Sequence, residues 1–304
     1  MKRTIKDYLI IGFKGMVMGA ADVVPGVSGG TIAFISGIYD ELINSIDSFN
    51  LTNLKLLKSE GIAAAFKAVN GFFLLSLFLG IGVSVLSLAK LFTFLLKTYP
   101  ILVWAFFFGL VLASILFIAK QITKWNFYTV FLLLLGVGGA YYITIIPALT
   151  VANSSPLFLI LAGALAFCAM ILPGISGAFI LLLLGAYKPA LDAIHQLDYK
   201  KIAFLGIGAM VGLLSFAKVL KWLFNHYKNA TLAVLTGFVI GSLNKIWPWK
   251  EVLKSTVING KLKIIKEQSI SPFSLENNHL FTAIILAIVG FLVIVVLEKL
   301  GNKN

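Results

Sequence analysis

The chain has 304 residues, 60% of them hydrophobic and only 12% charged. That charge share is about half that of a soluble domain, and with a mean hydropathy of +0.99 it indicates a polytopic membrane protein. A formal charge of +13 would suggest nucleic acid in a soluble protein. Here most lysines lie between apolar segments, where they anchor loops beside anionic headgroups, so membrane lipids and no nucleic acid are the expected partners. One cysteine, Cys168, excludes an internal disulfide, and His195, His226 and His279 have no metal-ligand spacing, so no metal and no cofactor is expected.

Met1 to Lys14 is short and basic without an A-x-A-like site, so no cleaved signal is expected. Tyr8 to Val24 is apolar except at Lys14 and Asp22; a Pro25-Gly26 break follows, then Thr31 to Ile46. Neither half reaches the ~20 apolar residues of a full span. The spacing predicts two short helices around an irregular loop, a re-entrant hairpin over about 8–46. Asp47 to Lys58 is polar and is expected outside the membrane. Full spans are predicted over 70–89, 101–119 and 127–149. A second broken hairpin is predicted over 157–194, around Pro173-Gly174, followed by spans over 202–217, 231–247 and 280–297. Lys250 to Asn278 is the longest polar loop, with Val252 to Ile265 read as an interfacial amphipathic piece.

The chain repeats itself. Pro25, Gly26, Ser28, Gly29, Gly37 and Tyr39 recur 148 positions later as Pro173, Gly174, Ser176, Gly177, Gly185 and Tyr187. With an offset of 128, Val83, Leu86, Ser87, Ala89, Lys90 and Tyr99 recur as Val211, Leu214, Ser215, Ala217, Lys218 and Tyr227. Ala105, Gly109, Val111 and Ser114 likewise recur as Ala233, Gly237, Val239 and Ser242. The expected fold is therefore all-α and polytopic. It has two repeats, 1–150 and 151–304, each a re-entrant helical hairpin plus three transmembrane helices. If each hairpin enters and leaves on one side, each half crosses three times and the second repeat is inverted. Inverted repeats with broken helices are a common plan of secondary transporters, with the site where the repeats meet. A slight excess of Lys and Arg on one side puts the N-terminus in the cytoplasm.

Pro-Gly-x-Ser-Gly before a helix gives a loop of little bulk whose free N–H groups favour an anion. Two such loops facing each other would cradle a phosphate or carboxylate. The candidate binding residues are Gly26, Ser28, Gly29, Gly30 and Thr31 in the first copy and Gly174, Ser176 and Gly177 in the second. Close helix packing is the competing explanation for these small residues, and it suffices for isolated glycines such as Gly109, Gly136 and Gly237. Asp22 has Met170 as its counterpart. An intramembrane carboxylate is a proton or cation site that gates the cradle, or a cap within its own loop; both stay open. Lys90 and Lys218 at equivalent span ends either snorkel or attract a headgroup phosphate. Tyr39 and Tyr187 read as interfacial belt residues, and the paired Ser114 and Ser242 as interhelical bonds or pathway groups.

The run Met18-Gly19-Ala20-Ala21-Asp22-Val23-Val24-Pro25-Gly26-Val27-Ser28-Gly29-Gly30-Thr31, with Gly37-Ile38-Tyr39, closely resembles the signature of the PopT family of prokaryotic membrane proteins. Pro173 to Gly177 and the Gly109–Ser114 and Gly237–Ser242 segments also look like that family, so the resemblance covers essentially the whole chain. It implies an undecaprenyl-phosphate flippase of the cytoplasmic membrane, returning the lipid carrier of cell-wall glycan synthesis to the cytoplasmic face. It also implies an inverted repeat with re-entrant helices. Proton or sodium coupling is a candidate drive. Two alternatives are a polyprenyl-pyrophosphate phosphatase and an ion-coupled small-anion transporter. The related phosphatases follow Pro-Gly-x-Ser with Arg, where this chain has Gly29 and Gly177, and carry a Glu pair absent here at membrane depth. No enzymatic activity is therefore expected.

Overall fold

The computed structural model describes residues 3–23, 28–146, 155–258, 261–275 and 277–301. The first half holds α1 (Ile5–Val23), α2 (Gly29–Ile35), α3 (Tyr39–Asp47), α4 (Leu51–Ser59) and α5 (Ile62–Ala68). The longer α6 (Gly71–Thr98), α7 (Pro100–Lys120) and α8 (Phe127–Ile145) follow. The second half holds α9 (Pro156–Ile171), α10 (Gly177–Leu183), α11 (Tyr187–His195) and α12 (Tyr199–Ser242). It ends with a strand pair, β1 (Lys250–Ile258) and β2 (Lys261–Ser269), and α13 (Leu280–Gly301). Four helical stretches are long and apolar enough to cross a membrane, namely Gly71–Leu88, Pro100–Lys120, Phe127–Ile145 and Tyr199–Ile246. Pro156–Ile171 and Leu280–Val296 are shorter apolar helices. The protein is thus a mostly helical, multi-pass membrane protein whose outer faces expose Leu79, Leu86, Leu134, Met210 and Leu292.

Local chemistry sets the breaks, and it sets them twice. α2 and α10 are seven residues each and end at Gly37 and Gly185, both with φ +72, a left-handed turn that L side chains avoid. The nine-residue α3 and α11 follow. The outgoing arm of each predicted hairpin is therefore two short helices rather than one. α6 stops at Tyr99 (φ −134, ψ 54), and α12 is kinked at the equivalent Tyr227 (φ −135, ψ 45). That non-helical residue divides α12 into two arms, 199–226 and 228–242, which correspond to the expected spans 202–217 and 231–247. Pro100 and Pro156 occupy first-turn positions, where a missing N–H costs nothing. Asn126 and Thr129 close a capping box at the start of α8.

One expectation for the loops changes. The polar segment after Asp47, expected outside the membrane, folds into the short helices α4 and α5. Val252 to Ile265, expected as an interfacial amphipathic piece, lies in the antiparallel pair β1–β2, with Ile258 opposite Lys261, so the fold is not purely helical. The signal was in the sequence: β-branched runs flank Asn259-Gly260, the dipeptide that most favours a two-residue hairpin.

Glycines let the helices touch. α1 meets α6 where Gly15 faces the Leu77 carbonyl, and α9 meets α12 where Gly208 faces the Ile160 carbonyl. α7 meets α13, where a Cβ at Gly109 would sit 1.8 Å from the Ala287 oxygen. α8 meets the C-terminal arm of α12, where a Cβ at Gly237 would sit 2.2 Å from the Leu133 oxygen. Such contacts substitute backbone proximity for a hydrophobic driving force that lipid does not supply. The third long helix of each half thus packs on the second of the other half. The equivalent segments α7 and 228–242 run antiparallel. Lys250 Nζ lies 4.4 Å from the Trp104 ring and Phe108 meets Trp247 edge-to-face, while at the far end Thr123 N–H donates to Asn229 Oδ1 at 2.8 Å.

Candidate functional site

The two copies of the motif meet. Ser28 caps α2, its Oγ accepting from Gly30 N–H at 3.1 Å. The same hydroxyl lies 3.3 Å from the carbonyl oxygens of both Met170 and Leu172. Thr31 Oγ1 accepts from the Gly174 N–H at 2.9 Å. Gly30 presses on the end of α9, where a Cβ would be 2.6 Å from the Ile171 oxygen. Gly174 holds φ +85 and backs onto Val239 in α12. Ser28 and Thr31 are each 1% exposed. The structure brings Ser28, Gly30 and Thr31 against residues 170–174; Gly29 is bonded to Asp22, Gly177 faces Ala166 of α9, and Gly26 and Pro25 lie outside the described residues.

The copies are not equal. In the first, Asp22 Oδ1 accepts from the Gly29 N–H at 2.7 Å, and Lys14 Nζ donates to the Ser36 carbonyl at 2.7 Å. One carboxylate and one ammonium therefore flank α2 at the ends its dipole favours. Their counterparts at α9 are Met170 and Ala162. In the second copy Ser176 makes no capping bond to α10. Instead Gly174, Ser176 and Phe179 line a small pocket with Thr144 of α8, Ser242 and Lys245. Ser28 thus caps its own helix, whereas Ser176 lines a pocket that Lys245 also lines.

Lys245 is the residue that the duplicated pattern could not reveal, because its counterpart at the 128 offset is Phe117. It sits in the 3-10 turn Leu243–Ile246 after α12. Its Nζ is 2.9 Å from Glu267 Oε1 on β2 and 4.9 Å from the Phe179 ring. Lys250 reaches the same Glu267 oxygen at 3.2 Å. Burial lowers the Lys250 ammonium to about 8. Glu267 is held below its ordinary carboxylate range: burial raises it, but Lys250 and Lys245 together outweigh that effect.

The remaining candidates fall elsewhere. Tyr39 is not at an interface; it is 2% exposed and its hydroxyl donates to the Ile171 carbonyl at 3.1 Å, a third tie between the motif copies. Tyr187 is half-buried. Ser114 and Ser242 bond within their own helices, to Leu110 and Val239 carbonyls, rather than between helices. Lys218 is exposed on α12, and the Lys90 side chain lies outside the described residues. Cys168 is half-buried and its Sγ donates to the Gly212 carbonyl, a packing contact.

Fold and site define a multi-pass helical membrane protein in which two copies of a glycine- and serine-bearing loop interlock inside the bundle. Residues 18–264 match the family described as undecaprenyl phosphate translocase-like. The chain is 43% identical over 305 residues to the polyprenyl-phosphate transporter of Vibrio cholerae, covering 98% of each. It is 30% identical over 252 residues to the polyprenyl-phosphate transporter of Staphylococcus aureus, covering 77% of this chain and 84% of that one. The chain belongs to the undecaprenyl phosphate translocase-like family. No solved structure matches it.

Proposed function

We propose that this protein is a flippase for undecaprenyl phosphate. On this reading it returns the carrier of cell-wall glycan synthesis across a prokaryotic cytoplasmic membrane by alternating access between two inverted repeats with re-entrant hairpins. The observation that carries the reading is the contact of the two motif loops, through Thr31 and Gly174, beside a pocket lined by Ser176, Ser242 and Lys245. A phosphate needs donors and a cation, and a polyprenyl tail needs an apolar surround; Ser176, Ser242 and Lys245 would supply the first, and Ala140, Ile143 and Ile175 begin the second. The antiparallel course of α7 and 228–242 supports the inverted relation.

On this reading Ser176, with Gly174 and Gly177, contacts the headgroup first. Ser28, Gly29, Gly30 and Thr31 hold the second loop in place and exchange partners when access alternates. Asp22, bonded to Gly29, is the candidate for proton or sodium coupling, and the N-terminus lies in the cytoplasm. Neither loop carries the Arg that a pyrophosphatase would use, and transport without bond cleavage follows.

The test is a proteoliposome assay. Externally added undecaprenyl phosphate should leave the outer leaflet without release of inorganic phosphate, and Ser28→Ala with Ser176→Ala should slow that loss while the protein stays folded. Phosphate release from the pyrophosphate form would replace transport by hydrolysis. Unchanged transport in the double variant would remove the loops from the site. Asp22→Asn should change the pH profile of transport if Asp22 couples the cycle; an unaltered profile leaves it as a cap.

A further inference from the structure

The strand pair β1–β2 reaches back to the pocket, and it does so with an anion. Glu267 Oε1 lies 2.9 Å from Lys245 Nζ and 3.2 Å from Lys250 Nζ. Lys245 itself lines the pocket with Ser176, Ser242 and Thr144. Lys250 is the more enclosed cation, its side chain 10% exposed against the Trp104 ring, and its Nζ also donates to the Lys245 carbonyl at 2.5 Å. The strap is tied down beside the pocket by two further contacts. Ser269 Oγ bonds Asn244 Oδ1 at 3.1 Å, and Trp247 Nε1 donates to the Ile270 carbonyl at 2.9 Å. Asn244 in turn donates to the pocket residue Thr144 at 3.0 Å. Two ammonium groups and a single carboxylate leave one positive charge in excess beside the pocket, and of the three groups Lys245 lines it. A half-buried cation pair sharing one acceptor is a poor packing device but a good receptor for a second or exchanged anion.

We propose that Lys245 and Lys250 form a phosphate-receiving site at the strand-pair end of the bundle, with Glu267 as the resident anion that an incoming phosphate group displaces. The chemistry is that of a phosphate monoester, whose oxygens outnumber those of a carboxylate and can accept from both ammonium groups and from the Ser242 and Ser176 hydroxyls together. Displacing Glu267 removes the ionic tie between β2 and the two lysines, so arrival of the headgroup loosens the strap, which Ser269 and Ile270 still hold. This assignment deepens the flippase reading, because it names where the headgroup is first held at that end.

The experiment uses the full-length protein in detergent. Trp104, Trp247 and Trp249 lie at this site, so intrinsic tryptophan fluorescence reports binding. The probes are dodecyl phosphate, a phosphate on an apolar tail, and inorganic phosphate. Glu267→Gln removes the competing charge while keeping the shape, and should tighten dodecyl phosphate by roughly tenfold, the scale of one charge-assisted hydrogen bond. Lys245→Ala should weaken it by a similar factor, and Lys245→Arg should retain binding. A response to dodecyl phosphate alone identifies a lipid headgroup; an equal response to inorganic phosphate identifies a free-phosphate site. If Glu267→Gln does not fold, the double variant Lys245→Met/Glu267→Met keeps the net charge of the cluster unchanged and should still weaken dodecyl phosphate, because one of the two receiving ammonium groups is gone. Unchanged affinity in Glu267→Gln and Lys245→Ala overturns the assignment. That result with intact undecaprenyl phosphate transport by the wild type would leave the flippase reading standing. Absence of wild-type transport with these affinity changes present would remove the flippase reading and leave an anion-binding site.

Discussion

Thr31 Oγ1 accepts a 2.9 Å hydrogen bond from the backbone N–H of Gly174, 143 residues away and in the other copy of the same motif. The residue aligned with Thr31 in the second copy is Phe179, which lines the pocket instead. One copy of the duplicated loop has become the support of the other.

Thr31→Val keeps the shape but leaves the buried Gly174 N–H without its acceptor. An unmade buried hydrogen bond costs about 1–3 kcal/mol. The expected outcome is a lower melting temperature in detergent together with slower undecaprenyl phosphate transport, and Thr31→Ser should recover both. A variant as stable and active as the wild type would show that the loops do not depend on this bond.

Asp22 accepts from Gly29 N–H at 2.7 Å. Asp22→Asn can still accept through its amide oxygen, so thermal stability should change little. Asp22→Leu leaves the Gly29 donor unpaired and should destabilise by about 1–3 kcal/mol. Equal melting temperatures for the two variants would contradict the capping role.

Gly109 and Gly237 are equivalent residues at the two crossed-over helix contacts. With 1.8 Å to the Ala287 oxygen and 2.2 Å to the Leu133 oxygen, neither site can take a Cβ without moving a helix. Overpacking of this kind costs about 1–3 kcal/mol. Gly109→Ala and Gly237→Ala should each lower the melting temperature, whereas Gly82→Ala, with open space around it, should not.

Lys250 loses its proton near pH 8 in the fold, against an ordinary value of 10.5. Between those values the unfolded chain binds the extra proton, so this group makes stability rise with pH across that window. The sign is opposite for Glu267, whose lowered value gives stability present above the ordinary carboxylate range and lost as acid protonates it in the fold. Denaturation midpoints from pH 7.5 to 10.5 should climb in the wild type and be flatter in Lys250→Met. An identical slope in that variant would place the titration elsewhere.

Membrane class, the duplication and the breaks were legible in the sequence, because each follows from local chemistry. An apolar run has a length, Pro and Gly break helices wherever they stand, and a left-handed turn asks for Gly37 and Gly185. The 148 and 128 offsets even fixed which breaks match, down to Tyr99 and Tyr227. Packing glycines such as Gly109 and Gly237 were legible for the same reason, since small residues in apolar helices have few other uses. The β1–β2 pair was missed although Asn259-Gly260 favours a hairpin, because Val252 to Ile265 was read as an interfacial amphipathic piece.

The tertiary structure alone decided what the motif copies touch. Nothing in Ser28 or Thr31 says that their hydroxyls face the backbone of 170–174, or that Tyr39 is buried there rather than at an interface. It also decided that Lys245, Lys250 and Glu267, separated by up to 22 residues, share one corner with Ser176. Sequence records which groups each segment carries and where it bends. Which of those groups become neighbours depends on how distant helices cross, and that is set by the whole bundle at once.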